Sequence, residues 1–399
     1  MKRNYKLTML ACFVGYIVQG IANNYSPLLF VTFNETYGIP LSKIALLISV
    51  NFVVQLSVDL LCALVIEKTG WRVPIVFAHV LAFGGLLMLA VLPDLMDNKF
   101  AALLISVVVL ASGGGFLEAL VSPIIESCPT DNKSGVMSLL HSFYCWGYCG
   151  VVVISTLFFG IFGIQKWHIL AAIWALIPLL NAIVFAFAPL NEDAKEERET
   201  RSFGGLFKNR YFLILIVIMF CAACCELSVA QWSSAFAEKA LGISKTMGDL
   251  FGPLFFAVLM GISRLIYGFY LSKKNIDLEK VIFYSGILCI VSYLVISLCP
   301  VPMISLIGVG ICGFSVGILW PGSFSLGAAN IKNGGSTMFA LLALFGDLGC
   351  STGPFVVGTM ASLKNDDLNF GILIATVFPV IMCLCLFSSF RKKPENKKS

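Results

Sequence analysis

Twelve apolar stretches, each about 18 to 26 residues long, follow one another along the chain, and its charged residues are gathered into the short connections between them. A hydrocarbon core about 30 Å thick takes about 20 helical residues to cross. Only helices or closed barrels satisfy their own backbone polar groups in that environment, and these runs are too long for barrel strands. The expected class is therefore an all-α polytopic membrane protein, with spans at 8–33, 44–66, 72–92, 101–126, 137–162, 168–189, 211–237, 248–271, 281–299, 302–328, 337–361 and 369–390. A composition of 58% hydrophobic and 12% charged residues would leave a water-soluble domain short of polar surface. The first apolar run is too long for the core of a signal peptide, so the first helix is expected to remain in the mature protein.

An even number of crossings puts both termini on one side, and Lys and Arg are retained in the cytoplasm. With the termini inside, the cytoplasmic connections hold Lys2, Arg3, Lys6, Lys68, Arg72, Lys133, Lys195, Arg198, Arg201, Lys208, Arg210, Lys273, Lys274, Lys280, Lys332, Arg391, Lys392, Lys393, Lys397 and Lys398. Only Lys43, Lys99, Lys166, Lys239, Lys245 and Lys364 fall outside. The orientation expected is an integral protein of the plasma (inner) membrane with both termini cytoplasmic. The net charge of +5 reports that topology rather than a nucleic-acid partner.

The longest polar run, Asn191 to Arg201, alternates both charge signs and reads as a solvated linker. It divides the chain into a six-helix bundle over 1–190, a cytoplasmic linker over 191–210 and a second six-helix bundle over 211–399 with a short basic tail. The halves echo each other at a period near 200 residues: Pro123, Gly135 and Gly147 in the first correspond to Pro321, Gly335 and Asp347 in the second. Two pseudo-symmetric bundles are the mark of a duplicated transporter fold.

Nearly all of the fourteen cysteines lie inside apolar spans and read as small buried hydrophobes. Cys221, Cys224 and Cys225 are closely spaced but have no His nearby, so packing is expected rather than a metal site, and no cofactor is implied.

Charges inside spans cost about 2.5 to 3.5 kcal/mol each on insertion scales, so such residues face a cavity, a partner or a proton path. The candidates are Asp59, Glu118, Glu226, Arg264 and Asp347. Glu118 follows Gly113, Gly114 and Gly115, which leave room for a cavity; an acid in so apolar a setting can bind and release a proton, and structural hydrogen bonding is the other reading. Glu226, Gln231 and Trp232 bring an acid, an amide and an indole within two helical turns, a combination suited to a sugar's hydroxyls and its apolar C–H face. An interfacial Trp, with Glu226 paired to a neighbouring helix, would account for the same residues. Asn23, Asn24, Gln55, His141, Tyr144, Trp320 and Asp347 complete the set expected around a central cavity. Asp59 and Arg264 lie in the inner halves of the second and eighth spans, where they would form an ion pair, either state-dependent or permanent.

The loop Glu67-Lys68-Thr69-Gly70-Trp71-Arg72 resembles the cytoplasmic signature of the major facilitator superfamily, with Ala63 and Trp71 at two positions where that family has Gly and Arg. The resemblance makes Glu67 and Arg72 gate candidates. A more specific likeness, to the fucose permease branch, is carried by Ala22-Asn23-Asn24, by Gly115-Phe116-Leu117-Glu118-Ala119 with Ser122-Pro123, by Leu140-His141-Ser142-Phe143 with Gly147, and by Trp320-Pro321-Gly322-Ser323-Phe324-Ser325-Leu326-Gly327. The acid that branch carries just after its Ala-Asn-Asn has no counterpart here; Pro27 lies near that place. The resemblance implies a major facilitator fold and points to Glu118 as the proton-coupling residue.

No phosphate-binding loop of the nucleotide-hydrolase type occurs, and His79, His141 and His168 fall in different spans, so neither ATP coupling nor a membrane enzyme is expected. The expected function is secondary transport of a small polar solute, a sugar, by proton symport through alternating access, with the protein acting as a monomer in the lipid bilayer. The alternative is a proton-antiport exporter of amphipathic compounds.

Overall fold

The computed structural model describes residues 5–129, 133–191, 206–267, 277–331 and 335–390. Every described element is a helix. Twelve of these, some joined end to end, are long and apolar enough to cross a membrane: Lys6–Tyr37, Leu41–Cys62, Arg72–Leu95, Lys99–Ser127, Ser142–Phe162, Ile164–Phe187, Arg210–Ala230, Lys245–Ile266, Leu278–Leu298, Pro302–Gly327, Leu341–Leu363 and Leu368–Phe387. They are called the first to twelfth spans below. Most of the expected linker, and all of the basic tail after Phe390, lie outside the described residues.

Local chemistry explains where the spans bend. Proline lacks an N–H and clashes with the preceding turn. In the first span Pro27 sits in a 3-10 turn, Ser26–Leu29, before the helix resumes at Phe30–Tyr37. The tenth span is likewise broken, into Pro302–Val316 and Leu319–Asn330. The eighth opens with a short helix, Lys245–Asp249, and a π-turn holding Pro253 before Phe255–Ile266. By contrast, Pro123 is carried inside an unbroken helix, Lys99–Ser127.

The chain divides into two compact units. One comprises Met1–Glu196 together with Ser244–Leu250; the other comprises Glu197–Ile243 and Phe251–Ser399. The boundary drawn on the sequence placed Ser244–Leu250 in the second bundle, whereas these seven residues pack with the first unit. The physical reason is a buried polar contact described below.

Inside each unit the same pairs of spans touch. In the first unit the third packs on the fourth and the sixth, the second on the fourth, and the first on the fourth, fifth and sixth. In the second unit the ninth packs on the tenth and the twelfth, the eighth on the tenth, and the seventh on the tenth, eleventh and twelfth. Adding six to each ordinal converts one list into the other. This internal repetition corresponds to the sequence echo between Pro123 and Pro321.

The closest crossings use glycine. A Cβ on Gly115 of the fourth span would lie 2.5 Å from the Gln55 carbonyl oxygen of the second, and one on Gly147 would lie 3.0 Å from the Ile17 Cα of the first. Side chains larger than hydrogen would push these helices apart. Those two crossings bring the polar residues of the first, second, fourth and fifth spans within reach of one another.

Candidate functional site: an amide network in one unit and an ion pair in the other

In the first unit, side chains from three spans form one hydrogen-bonded chain. Asn23 and Asn24 lie in the first span, where Asn23 Oδ1 accepts from Gln55 Nε2 at 2.7 Å and from Asn51 Nδ2 at 3.3 Å. Gln19 Nε2 then donates to Gln55 Oε1 at 3.5 Å and to Glu118 Oε2 at 3.0 Å. Beside it, Tyr16 and Ser122 share a 3.0 Å hydroxyl contact, and Asn24 Nδ2 donates to the Gly20 carbonyl at 2.9 Å and, at the long limit of 3.5 Å, to the Tyr144 hydroxyl. Asn23, Asn24, Gln55 and Gln19 are all buried.

Three sequence expectations meet here: Asn23, Gln55 and Glu118 belong to one network. Glu118 differs from expectation in its surroundings. Its side chain is exposed rather than desolvated, and Gly113, Gly114 and Gly115, expected to leave room for a cavity, are instead buried against the second and third spans. Gln19, Asn51, Tyr16 and Ser122 were not among the expected site residues. Three of them had a usable signal, for Gln19 and Asn51 stand four residues before Asn23 and Gln55, and Ser122 stands four after Glu118. Residues four apart share a helix face.

The second unit is built on charge. Arg264 Nη2 lies 3.4 Å from both carboxylate oxygens of Glu226, joining the eighth span to the seventh. The side chains are 31% and 14% exposed, so the pair is only partly shielded. Arg264 Nε also donates to the Gly317 carbonyl at 3.3 Å. That second bond follows from sequence chemistry. In a helix the Gly317 carbonyl would accept from the residue four further on, which is Pro321 and has no N–H. Proline orphans the carbonyl, and the guanidinium, with its fixed fork of donors, takes it.

The partner of Arg264 is thus Glu226, consistent with the pairing of Glu226 to a neighbouring helix left open by the sequence. The expected Asp59 partner cannot be placed beside it, since the Asp59 side chain, like those of Glu67 and His141, lies outside the described residues.

Trp232 corrects another expectation. Its side chain is 0% exposed and its Nε1 donates to the Pro354 carbonyl at 3.0 Å. With both ring faces packed in the core, the indole offers no platform to a ligand. Gln231 is buried beside it, at the end of the helix Arg210–Ala230. Trp320 is different: it is partly exposed, packs edge-on against Phe324 with ring centroids 6.2 Å apart, and covers Gly346 next to the partly exposed Asp347.

Arg72 serves a helix end. Its Nη1 donates to the Phe185 and Ala186 carbonyls at 3.0 and 2.7 Å, placing a cation on the C-terminal turn of the sixth span. His79 is fully buried, with Nδ1 on the Ile75 carbonyl at 2.8 Å and Nε2 on Asn181 at 2.8 Å, a packing role. Cys221, Cys224 and Cys225 are buried in the second unit.

Ser244–Leu250 is held in the first unit by a wholly buried carboxylate. Asp249 Oδ1 takes Lys245 Nζ at 2.8 Å and its Oδ2 accepts from Thr156 Oγ1 of the fifth span at 3.3 Å. A buried acid so paired has strong reason to keep its partners.

A family model described as Major Facilitator Superfamily matches residues 8–354. The chain belongs to that superfamily. This transporter is similar, along its whole length, to several solved structures. A bacterial homolog of the human lysosomal transporter Spinster, inward-facing and unoccupied, matches with a TM-score of 0.80 and 14% identity, covering 100% of this chain and 99% of that one. The D-xylose-proton symporter gives a TM-score of 0.78 at 13% identity, with 99% of each chain covered. The fucose:proton symporter of E. coli gives 0.63 at 17% identity, covering 98% of this chain and 100% of that one. At these identities the likeness shows the fold. A search of curated proteins finds no match.

Proposed function

We propose that this transporter moves a small hydroxylated solute, a sugar, together with protons, by alternating access of its two six-helix halves with both termini in the cytoplasm. The observation that carries the reading is the first-unit network, in which an exposed carboxylate at Glu118 is wired through Gln19 to the buried amides of Gln55 and Asn23. Amides both donate and accept, which suits hydroxyl groups, and a carboxylate inside a span is a candidate proton carrier. Trp320 and Asp347 supply a partly exposed ring and acid in the second unit. Two of the solved structures of like fold are themselves described as sugar–proton symporters. Membership of the fucose permease branch is part of this proposal, as are gating roles for Asp59, Glu67, Arg72 and Arg264.

The test is uptake by the full chain in proteoliposomes, under inward and outward proton gradients, with a panel of hexoses, pentoses, nucleosides and lipophilic cations. Accumulation of a sugar that follows an inward proton gradient supports the reading. Extrusion of lipophilic cations against an inward proton gradient, with no sugar moved, would replace it with the exporter.

A further inference from the structure

We propose that Gln19 is the positioning residue that passes the protonation state of Glu118 to Asn23, by turning over its own side-chain amide; the proposal rests on Glu118 being the proton site.

The donors of the network run outward from Gln19 on both sides. Gln19 Nε2 points at Glu118 Oε2 and at Gln55 Oε1, and Gln55 Nε2 points at Asn23 Oδ1. The other end of the Gln19 amide, Oε1, is buried without a hydrogen-bond partner, on a side chain only 5% exposed. Buried carbonyl groups are nearly always paired. An amide paired at both ends is locked; this one is held only on the side facing Glu118 and Gln55, so those two residues alone set its orientation.

An ionised carboxylate offers only lone pairs and therefore demands the N–H end of Gln19. Once a proton binds at Oε2, the same atom carries an O–H donor, and the group opposite can be a carbonyl. A half-turn about the Cγ–Cδ bond places Gln19 Oε1 there. It then faces Gln55, whose amide must turn to donate, and Gln55 Oε1 in its new position requires an N–H from Asn23, while Asn51, which now donates to Asn23 Oδ1, must turn to present its own Oδ1. One proton is taken up at Glu118 and no other covalent bond changes. The result is transmitted polarity: the atom that Asn23 turns toward the second span changes from acceptor to donor. Orientation of a hydroxyl-bearing solute on these amides would change with it.

Other titratable groups near Glu118 have their own partners. Tyr16, close enough to feel its charge, is bonded to Ser122. On the third span His79 is engaged with Ile75 and Asn181, and on the fifth span Tyr144 meets Asn24. Asp59 and His141 lie outside the described side chains.

The experiment uses the purified full chain in lipid nanodiscs, with infrared difference spectra recorded between high and low pH, which needs no knowledge of the solute. The parent should show a protonated-carboxyl band, absent from Glu118→Gln, together with a shift of side-chain amide carbonyl bands. Gln19→Met, matched in length but unable to bond, should keep the carboxyl band and lose the amide shift. Gln55→Met should keep the carboxyl band and lose part of the shift, and it serves where Gln19→Met fails to fold. Persistence of the full amide shift in Gln19→Met, or its absence from a parent that shows the carboxyl band, overturns the relay while leaving proton coupling intact. A parent without the carboxyl band overturns the relay and the assignment of Glu118 together. In proteoliposomes Gln19→Met should lose accumulation driven by a proton gradient. A parent that moves no solute would count against the transport reading alone, since the spectra stand independently.

Discussion

The two units use equivalent helix pairings to opposite electrostatic ends. In the first, among the described residues, one carboxylate is joined to neutral amides, and the hydrogen bonds can be satisfied in more than one sense. In the second, Arg264 neutralises Glu226 and at the same time caps the carbonyl that Pro321 leaves open, so charge and backbone chemistry are tied to one side chain. A repeated scaffold thus does not imply repeated chemistry. An amide network can respond to a proton, whereas a guanidinium keeps its charge at any accessible pH and acts as a fixed clamp.

The sharpest way to break this contrast is to remove the acid seen in the amide network. Glu118→Gln should abolish gradient-driven accumulation while solute exchange survives, because a neutral amide cannot cycle a proton. Accumulation at the parental level, measured in proteoliposomes, would mean that the responsive acid lies elsewhere, with Glu226 the next to test.

In the second unit the two partners of the ion pair should not be equivalent. Arg264→Met leaves both the Glu226 carboxylate and the Gly317 carbonyl without their donor, and should cost about 2 kcal/mol of stability, below the value for a fully buried pair because the guanidinium is partly exposed. Glu226→Gln keeps an oxygen to accept from Arg264 and leaves the Gly317 bond intact, for a cost of about 1 kcal/mol. Thermal unfolding in detergent, read by the accessibility of buried thiols, should rank them in that order. Equal losses would show that the Gly317 bond contributes nothing.

Within the first unit, Gln55→Met removes the 2.7 Å bond to Asn23 and leaves Asn23 Oδ1 with the longer 3.3 Å bond from Asn51, costing about 1 kcal/mol. In solute binding that is roughly 5-fold if the solute uses the network, measured by titration at fixed pH. Unchanged affinity would reduce the network to packing.

The smallest effect on solute affinity is expected at Trp232. Trp232→Phe loses the bond to the Pro354 carbonyl and leaves a small cavity in the core, so it should cost about 2 to 3 kcal/mol of stability, and solute affinity should be unaltered. A weakened affinity would show that the indole is uncovered in another conformation.

Much of the fold could be read directly from the chain. The observed spans fall within a few residues of those expected, since a bilayer accepts only long apolar helices and expels charge to their ends. The polar residues worth attention were legible for the same reason, as each intramembrane charge or amide is costly unless it has a partner. Helix faces were far less legible. In a soluble protein apolar residues mark the inward side, but here lipid and protein interior are equally apolar, so Trp232 could be placed in a ligand site on paper and prove to be core.

What the sequence by itself determined was the number and approximate limits of the membrane crossings and the two-fold repetition, consequences of backbone chemistry in hydrocarbon and of an internal echo in the chain. Only the tertiary structure decided that Arg264 meets Glu226, that Gln19 connects Glu118 to Gln55, and that Ser244–Leu250 packs with the first unit through Asp249 and Thr156. Those pairings depend on helix rotation and on close approaches such as that at Gly115, set by the packing of residues far apart in the chain, which no local pattern records.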